Sequence, residues 1–529
     1  MRYQALATDY DGTLAPNGKV DAQTLEALGK LRASGRKLLL VTGRELEDLA
    51  STFNEFEIFD RIVAENGALI YDPATQKETT LAQPPPEAFA AMLRDKGVEP
   101  ISAGRVIVAT REPWEQATLE TIRDLGLELQ VIFNKGAVMV LPSGVNKATG
   151  LRCALDELGL SAHNIVAVGD GENDHAFLAA CECGVAVEDA LAALRERADM
   201  VVPGVPELIQ MIIDDDMPAL SRHDILLGNA GEREIRLPAY DVKAMVTGVS
   251  GGGKSTLTTG VLERLAKANY QFCAVDPEGD YQTLVDAVIL GDAKKAPVVD
   301  EVISVLEKPG RNVVVNMIGV RFDDRPAFFN KLMAAMAELR KNTGRPHWLI
   351  VDEAHHVLPA EEEHPADLPR NVLLITMEAE HVHREVQEKI THWIRVGEPL
   401  ERGQAELKFG DEVVRFEVAE AETPRVRHSR KYAAAELTED RSFYFRGSEG
   451  KLNLRASNLM TFLQLLEGVD DETWTYHLGR GEYSNWFREN IKNKELAGEA
   501  ERVEKSGGSV EETRKGIRCA VEERYTLPA

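Results

Sequence analysis

The stretch Asp9-Tyr10-Asp11-Gly12-Thr13-Leu14 directly follows the apolar run Tyr3 to Ala7, so two aspartates one residue apart stand where a strand ends. Such a pair can divide nucleophile from acid/base, which points to phosphoryl chemistry. Outward from it, the first 213 residues alternate apolar runs with amphipathic stretches. Lys37 to Thr42, Ile62 to Ala64, Val106 to Ala109, Ala137 to Leu141 and Ile165 to Gly169 are separated by helical patterns such as Ala22 to Ser34. This rhythm predicts an α/β domain with a mostly parallel sheet.

In such sheets, sites form beyond the carboxyl ends of strands. Four polar clusters fall there: Asp9 with Asp11, Thr42-Gly43-Arg44, Lys147, and Gly169-Asp170-Gly171-Glu172-Asn173-Asp174. Asp9 is placed to attack phosphorus, and Asp11 to protonate the leaving oxygen and then activate water. Thr42 and Lys147 are placed to hold phosphoryl oxygens. Hard cations take oxygen ligands, so Asp9, Asp11, Asp170 and Asp174 are the candidate Mg²⁺ set, with Asp174 orienting it.

These four motifs, in this order, resemble the haloacid dehalogenase (HAD) superfamily of Mg²⁺-dependent phosphatases. The long insertion between Thr42 and Lys147, with Glu65-Asn66-Gly67-Ala68 near its start and Asn146-Lys147-Ala148-Thr149-Gly150-Leu151 after it, is similar to the Cof-type subfamily. The resemblance implies a HAD Rossmann-like domain over residues 1–213 with an α/β cap at about 80–145 that chooses the substrate. Many such members act on sugar phosphates or phosphoglycolate. Pro84-Pro85-Pro86 marks the crossing into the cap.

A second phosphate-handling pattern lies downstream. Ala244 to Thr247 reads as a short buried strand running into Gly248-Val249-Ser250-Gly251-Gly252-Gly253-Lys254-Ser255-Thr256, followed by an amphipathic helix over Ser255 to Ala268. That is the context of a phosphate-binding P-loop. Backbone N–H groups of Gly248, Gly251, Gly252, Gly253 and Thr256 would cradle ATP phosphates, Lys254 would add charge, and Ser255 would ligate Mg²⁺. About a hundred residues on, His347 to Val351 ends in Asp352-Glu353. There Asp352 would hold Mg²⁺ and Glu353 would polarise the attacking water.

Between them, the strand ending in Asp276-Pro277-Glu278-Gly279-Asp280-Tyr281 resembles the second strand of HerA/FtsK-class ATPases. Leu226-Leu227-Gly228 and Ile235-Arg236-Leu237-Pro238 resemble the lead-in of that class. The resemblance implies a P-loop NTPase α/β domain over residues 220–425, and allows an oligomer through it. One departure is Met377-Glu378-Ala379 after the fourth core strand, Asn371 to Thr376, where these ATPases usually carry a polar sensor. Asp352-Glu353-Ala354-His355 also spells a helicase box, but no other helicase motif accompanies it.

Residues 426–529 read as a small, mainly helical module. Trp474, Tyr476, Tyr483, Trp486 and Phe487 suit its core, and His477, Arg480 and Glu482 are its candidate polar site. The run Arg425 to Lys431 is basic and reads as a solvated linker or an anion contact. The formal net charge of -26 disfavours nucleic acid and anionic membrane as general partners. With five scattered cysteines, no apolar signal core and no span-length apolar run, a cytoplasmic protein with no membrane contact is expected.

The reading that follows is a Mg²⁺-dependent phosphomonoester hydrolase working through an aspartyl-phosphate at Asp9 on a small phosphorylated metabolite. An ATP-binding, ATP-hydrolysing domain is coupled to it through a short connection near Met211 to Leu227. Two alternatives belong to other classes: a DNA-associated motor whose phosphatase processes nucleotides or ends, and a bifunctional kinase-phosphatase.

Overall fold

The computed structural model describes residues 2–249, 252–281, 284, 286–361, 366–397, 399–422, 437, 439, 441–448, 450–491 and 493–525. Gly251 of the glycine-rich loop, the basic run 425–431 and the expected boundary at 425/426 lie outside the described residues.

The first part is built on an eight-stranded sheet. Its order is Met200–Val202, Cys183–Val187, Ile165–Gly169, Ala5–Thr8, Lys37–Val41, Arg61–Ala64, Leu69–Asp72, Lys77–Thr80. The first six strands are parallel and the last two turn back antiparallel. The strands Ala5–Thr8, Ile165–Gly169 and Cys183–Val187 are buried at every position, as expected of a sheet covered on both faces. The Ala5–Thr8 strand lies between Ile165–Gly169 and Lys37–Val41, so Asp9, Asp170 and Thr42 leave one edge of the sheet together. Cys181 and Cys183 are buried packing residues.

Two apolar runs read as part of this sheet belong elsewhere. The Val106 to Ala109 run yields a strand at Val108–Arg111, and Ala137 to Leu141 one at Ala137–Pro142. Both lie in an antiparallel four-stranded cap sheet with Ser102–Ala103 and Leu129–Asn134. The cause is two-sided burial. Val108 and Val140 pack with Phe89 and Leu93 of a cap helix, while Met139 and Leu141 face Ala68 of the main domain. Runs buried on both faces look alike in parallel and antiparallel sheets. The cap helices are Glu87–Asp95 and Glu115–Asp124, within the expected 80–145.

The second part carries an eleven-stranded sheet. Seven strands are parallel, in the order His392–Val396, Lys243–Thr247, Val372–Thr376, Trp348–Val351, Phe272–Asp276, Asn312–Asn316, Ala287–Leu290. Four antiparallel strands, Gln404–Phe409, Glu412–Val418, Ile225–Ala230 and Arg233–Leu237, extend one edge.

The last part has helices Leu459–Gly468, Asp471–Gly479, Glu482–Glu489, Lys494–Glu504 and Val510–Tyr525. Phe443–Phe445 is not helical; it pairs with Leu454–Ala456 as a hairpin. Its core is aromatic, with Trp474 stacked on Tyr483 at 4.4 Å. Among the described residues, no helix is long and apolar enough to cross a membrane.

The first two parts meet over more than the connecting chain. Buried Arg345 donates Nη2 to Gly159 O at 2.9 Å and Nη1 to Gln271 Oε1 at 2.9 Å. His347 Nε2 donates to Asn164 Oδ1 at 3.1 Å, its Nδ1 being occupied by the Gln271 N–H. Tyr270 Oη donates to Glu182 Oε2 at 2.9 Å, and the Tyr270 ring stacks on His163 at 3.7 Å.

One packing contact sets the depth of the helix Lys147–Leu158. A Cβ on Gly150 would stand 2.6 Å from Gly67 Cα and O and from Val63 Cγ1. Helix propensity alone would make Gly150→Ala stabilising by about 1 kcal/mol. The clash with backbone that cannot move aside instead predicts a net loss of about 1–3 kcal/mol. Denaturant unfolding measures the sign, and a more stable Gly150→Ala protein would refute the contact.

Candidate active site

Asp9 sits at the end of the Ala5–Thr8 strand, its N–H bonded to Val168 O at 2.9 Å. Lys147 opens its helix behind a capping box made by Asn146 and Thr149. Its ammonium donates to Asp9 Oδ1 at 2.5 Å and to Asp174 Oδ1 at 2.6 Å, with all three residues buried. The other Asp174 oxygen accepts the N–H groups of Asp170 and Gly171 at 2.9 and 2.8 Å, fixing the loop that carries Asp170. Asp9, Asp170 and Asp174 each offer a carboxylate oxygen, the three within 4.8 Å of one another.

Lys135, from the cap turn between Leu129–Asn134 and Ala137–Pro142, reaches into this cluster. Its ammonium donates to Asp170 Oδ2 at 2.7 Å and to Asp11 O at 2.8 Å. A cation is thus already met by a carboxylate and a carbonyl oxygen, the donor class a hard divalent ion takes. The residues therefore fit Mg²⁺, with Asp9 and Asp170 as its carboxylates.

Asp11 differs from its neighbours. Arg44 grips its carboxylate with Nε and Nη2, both at 2.7 Å, and Asp48 takes Nη1 at 2.8 Å. The Asp11 carboxylate stands outside the three-carboxylate group, and its backbone carbonyl faces Lys135 instead. Thr42 is fully buried, its hydroxyl accepting the Arg44 N–H at 3.1 Å. Thr42 follows the strand Lys37–Val41, whereas Lys147 stands not at a strand end but at the start of a helix, its ammonium bonded to the Asp9 and Asp174 carboxylates.

Three residues take roles that the sequence does not announce. Lys135 is a lone lysine in a cap turn. Glu65, fully buried, accepts the N–H groups of Arg105, Val106 and Ile107 at 2.7 to 2.9 Å and so struts the cap. Arg44, in the Thr42-Gly43-Arg44 cluster, binds the Asp11 carboxylate. Only the Asn134-Lys135-Gly136 turn signal was available for the first.

In the second part, Gly248 stands after Lys243–Thr247 at φ 156°, and a Cβ on it would lie 2.2 Å from Val396 O. Gly252 closes a turn onto Val249 O, and Gly253, with φ 101°, precedes the helix Lys254–Lys267, whose first turn holds Ser255 and Thr256. Lys254 Nζ folds back to Gly248 O at 2.6 Å. Asp352 is buried at the end of Trp348–Val351, two strands from the glycine loop's own strand. Glu353 follows it at φ 42°, its N–H bonded to Asp352 Oδ1 at 3.0 Å. Asp276 closes its own turn by accepting the Asp280 and Tyr281 N–H groups. Burial, with the Asp280 and Asp352 carboxylates nearby, pushes it up to about 7. In the last part, His477 Nδ1 donates to Glu482 Oε2 at 2.5 Å, and Arg480 Nε to Glu482 Oε1 at 2.6 Å. His477 Nε2 accepts the Arg446 N–H at 3.0 Å, so this trio pins the hairpin to the helices.

A family model described as haloacid dehalogenase-like hydrolase matches residues 6–95 and 93–207. A phosphoglycolate phosphatase of Methanothermobacter thermautotrophicus is 30% identical over 207 residues, covering 37% of this chain and 91% of the relative. The chain belongs to the haloacid dehalogenase-like hydrolase family. A phosphoglycolate phosphatase of Natronomonas pharaonis is 29% identical over 208 residues, covering 37% and 89%. A solved haloacid dehalogenase-like hydrolase from Bacteroides thetaiotaomicron is 19% identical, covers 40% of this chain and 99% of that one, and has a TM-score of 0.35. The first 207 residues are thus those of a HAD-type phosphatase.

Burial and the Asp174 carboxylate push the Asp9 carboxyl up to about 8, with Lys147 opposing. Burial pulls Lys147 down, but Asp174 and Asp9 outweigh it and leave the ammonium above its ordinary value. An acid raised on folding binds more protons in the native state, so its effect on stability turns unfavourable as pH climbs from the unfolded value near 4 to the folded value near 8. With metal chelated, the protein should lose stability across that window. Each unit actually expressed is worth about 1.4 kcal/mol. Asp9→Asn should flatten the slope, and thermal melts of both proteins from pH 5 to 9 compare them. Equal slopes would refute the shift.

Proposed function

We propose that this chain is a Mg²⁺-dependent phosphomonoesterase for a small phosphorylated metabolite, with phosphoglycolate and sugar phosphates the leading candidates. The observation that carries this reading is the buried Asp9 carboxylate, held by Lys147 inside a three-carboxylate oxygen cluster at the mouth of the cap. The substrate names of the two archaeal relatives favour phosphoglycolate.

Lys147 occupies Asp9 Oδ1, leaving Oδ2 to attack phosphorus. The P–O bond to the leaving group breaks as the Asp9–phosphorus bond forms, and Asp11 is the acid for the departing oxygen. For that, the Arg44 grip on Asp11 must open as substrate enters. Water then attacks the acyl-phosphate, Asp11 takes its proton, and Asp9 is restored with release of phosphate. Mg²⁺, when bound, neutralises phosphoryl charge and favours ionised Asp9.

Asp9→Asn should lower phosphatase turnover by about 10³-fold or more with the fold intact, since the near-isosteric amide is a poor nucleophile. Phosphate release from phosphoglycolate and from a panel of sugar phosphates measures it. Unchanged turnover would remove Asp9 from the chemistry, and an unmodified protein that preferred none of these substrates would keep the reaction but refute phosphoglycolate.

The second part is proposed to bind and hydrolyse ATP. What supports this is a tight glycine loop before a helix, with Lys254 over its carbonyls and Asp352-Glu353 at a strand end two places away. Lys254→Ala should lose ATP affinity, whereas Glu353→Gln should bind ATP and stall hydrolysis. If nucleotide tunes the phosphatase, Glu353→Gln held with ATP, with ADP and without nucleotide should show different phosphatase kinetics; an affinity ratio of about tenfold corresponds to 1.4 kcal/mol of coupling. Identical kinetics in all three would make the two activities independent.

A further inference from the structure

The junction between the first two parts forms a half-open pocket of about 300 Å³. Its lining is strongly cationic: Arg2, Arg340, Lys341 and Arg370 meet there, with Glu182 the only carboxylate among the lining residues. That carboxylate is already taken by His163, Tyr270 and Arg2. Arg370 pairs with Asp215 at 3.2 Å, and both Arg2 and Arg370 lie over the Tyr240 ring.

Arg340 is different. It lies in the last turn of the helix Arg325–Thr343, and its Nη1 is enclosed with no hydrogen-bond partner among the described residues. Arg2 Nε is likewise enclosed and unbonded. The neighbour acting on the Arg340 charge is the Tyr240 phenol, a neutral group, and burial pulls the guanidinium down to about 10. A cation near a helix C-terminus gains from the macrodipole, but an exposed one gains that without desolvation. Enclosing a guanidinium with no anion is costly unless something supplies one.

We propose that this cavity binds a small dianion, inorganic phosphate or a phosphomonoester, between the phosphatase domain and its neighbour. Guanidinium groups suit phosphate by their planar, multiply donating geometry, and the pocket gathers three of them, Arg2, Arg340 and Arg370, with the Lys341 ammonium. The site is separate from Asp9 and from the glycine loop, neither of which lines the cavity. Its walls come from both parts, so an anion there would bear on how they sit together.

Crystals of the full chain soaked in tungstate, an electron-dense phosphate analogue, should show an anomalous peak in this pocket, beside the Arg340 side chain. An empty cavity in crystals whose catalytic site has filled would overturn the proposal. Calorimetry with inorganic phosphate, and separately with the nonhydrolysable phosphonoacetate, should show one site fewer in Arg340→Gln, or that site weakened by about tenfold or more. Preference for phosphate would mark the free ion as ligand, and preference for the phosphonate would mark a monoester. Without anion, Arg340→Gln should melt no lower than the unmodified protein, because the substitution removes an enclosed charge. A lower melting temperature with unchanged anion binding would make Arg340 structural and overturn the assignment.

Discussion

Everything at the catalytic edge depends on one buried ammonium. Asp9, Asp170 and Asp174 crowd their oxygens within 4.8 Å, and such a cluster repels itself unless cations are built in. Lys147 supplies one from inside, bonded to Asp9 and Asp174 at 2.5 and 2.6 Å. Removing one partner of a buried ionic group typically costs about 3–5 kcal/mol because the remaining charges are left uncompensated. The bridge also joins distant chain segments. Lys147 begins the helix that returns from the cap, Asp9 ends the central strand, and Asp174 orders the loop bearing Asp170. The close approach of Gly150 to Gly67 sets how deep that ammonium reaches.

The cap is tied to this edge from two sides. Glu65 holds it by three backbone N–H groups, a carboxylate used as a strut and satisfied entirely by main chain. Lys135 enters from the opposite hairpin and touches Asp170 and Asp11. Because Lys135 and a divalent ion would both seek the same oxygens, cap position and metal occupancy would be linked electrostatically. The Arg44 grip on Asp11 adds a second latch, since Asp11 in the proposed acid/base role would be held away until the pair opens. Substrate that draws Arg44 to its own charge would release Asp11 in the same movement.

What could be read from sequence was what is local. The run Tyr3 to Ala7 followed by Asp9-Tyr10-Asp11, the Gly169 to Asp174 loop, and the glycine loop before Lys254 each carry their structural context within a few residues. Lys135, Glu65 and the partner of Arg44 depend on contacts 33 to 42 positions or more away, and nothing beside them in the chain announces the pairing. Val106 to Ala109 and Ala137 to Leu141 were legible as strands but not as members of an antiparallel cap sheet, since burial on both faces erases the alternation that marks such sheets. Phe443 to Phe445 pairs as a hairpin because its aromatic side chains are buried against the helices, a tertiary effect that overrides local pattern. The polar residues at the junction, His163, Glu182 and Arg345, have their partners in distant parts of the chain, which no local pattern announces.

That junction gives the proposed coupling a physical path. The helix Lys254–Lys267 starts at the glycine loop, and the carbonyl of Ala268 just past its end is held by His163 Nε2 at 2.6 Å. His163 belongs to the phosphatase domain, where its Nδ1 contacts Glu182 at 2.8 Å. One rigid element therefore spans from the glycine loop to a buried ionic cluster of the other domain. Contiguity is a precondition for coupling and not the coupling itself, which needs two arrangements of unequal affinity. The cationic cavity sits beside that contact, with Glu182 and Tyr270 on its wall. An anion held there would shield the repulsion among the lining arginines and favour the docked arrangement, whereas its loss would weaken docking. The helix end and the cavity thus bear on the same interface, so nucleotide at one end and anion at the other would act on a single equilibrium rather than through separate pathways.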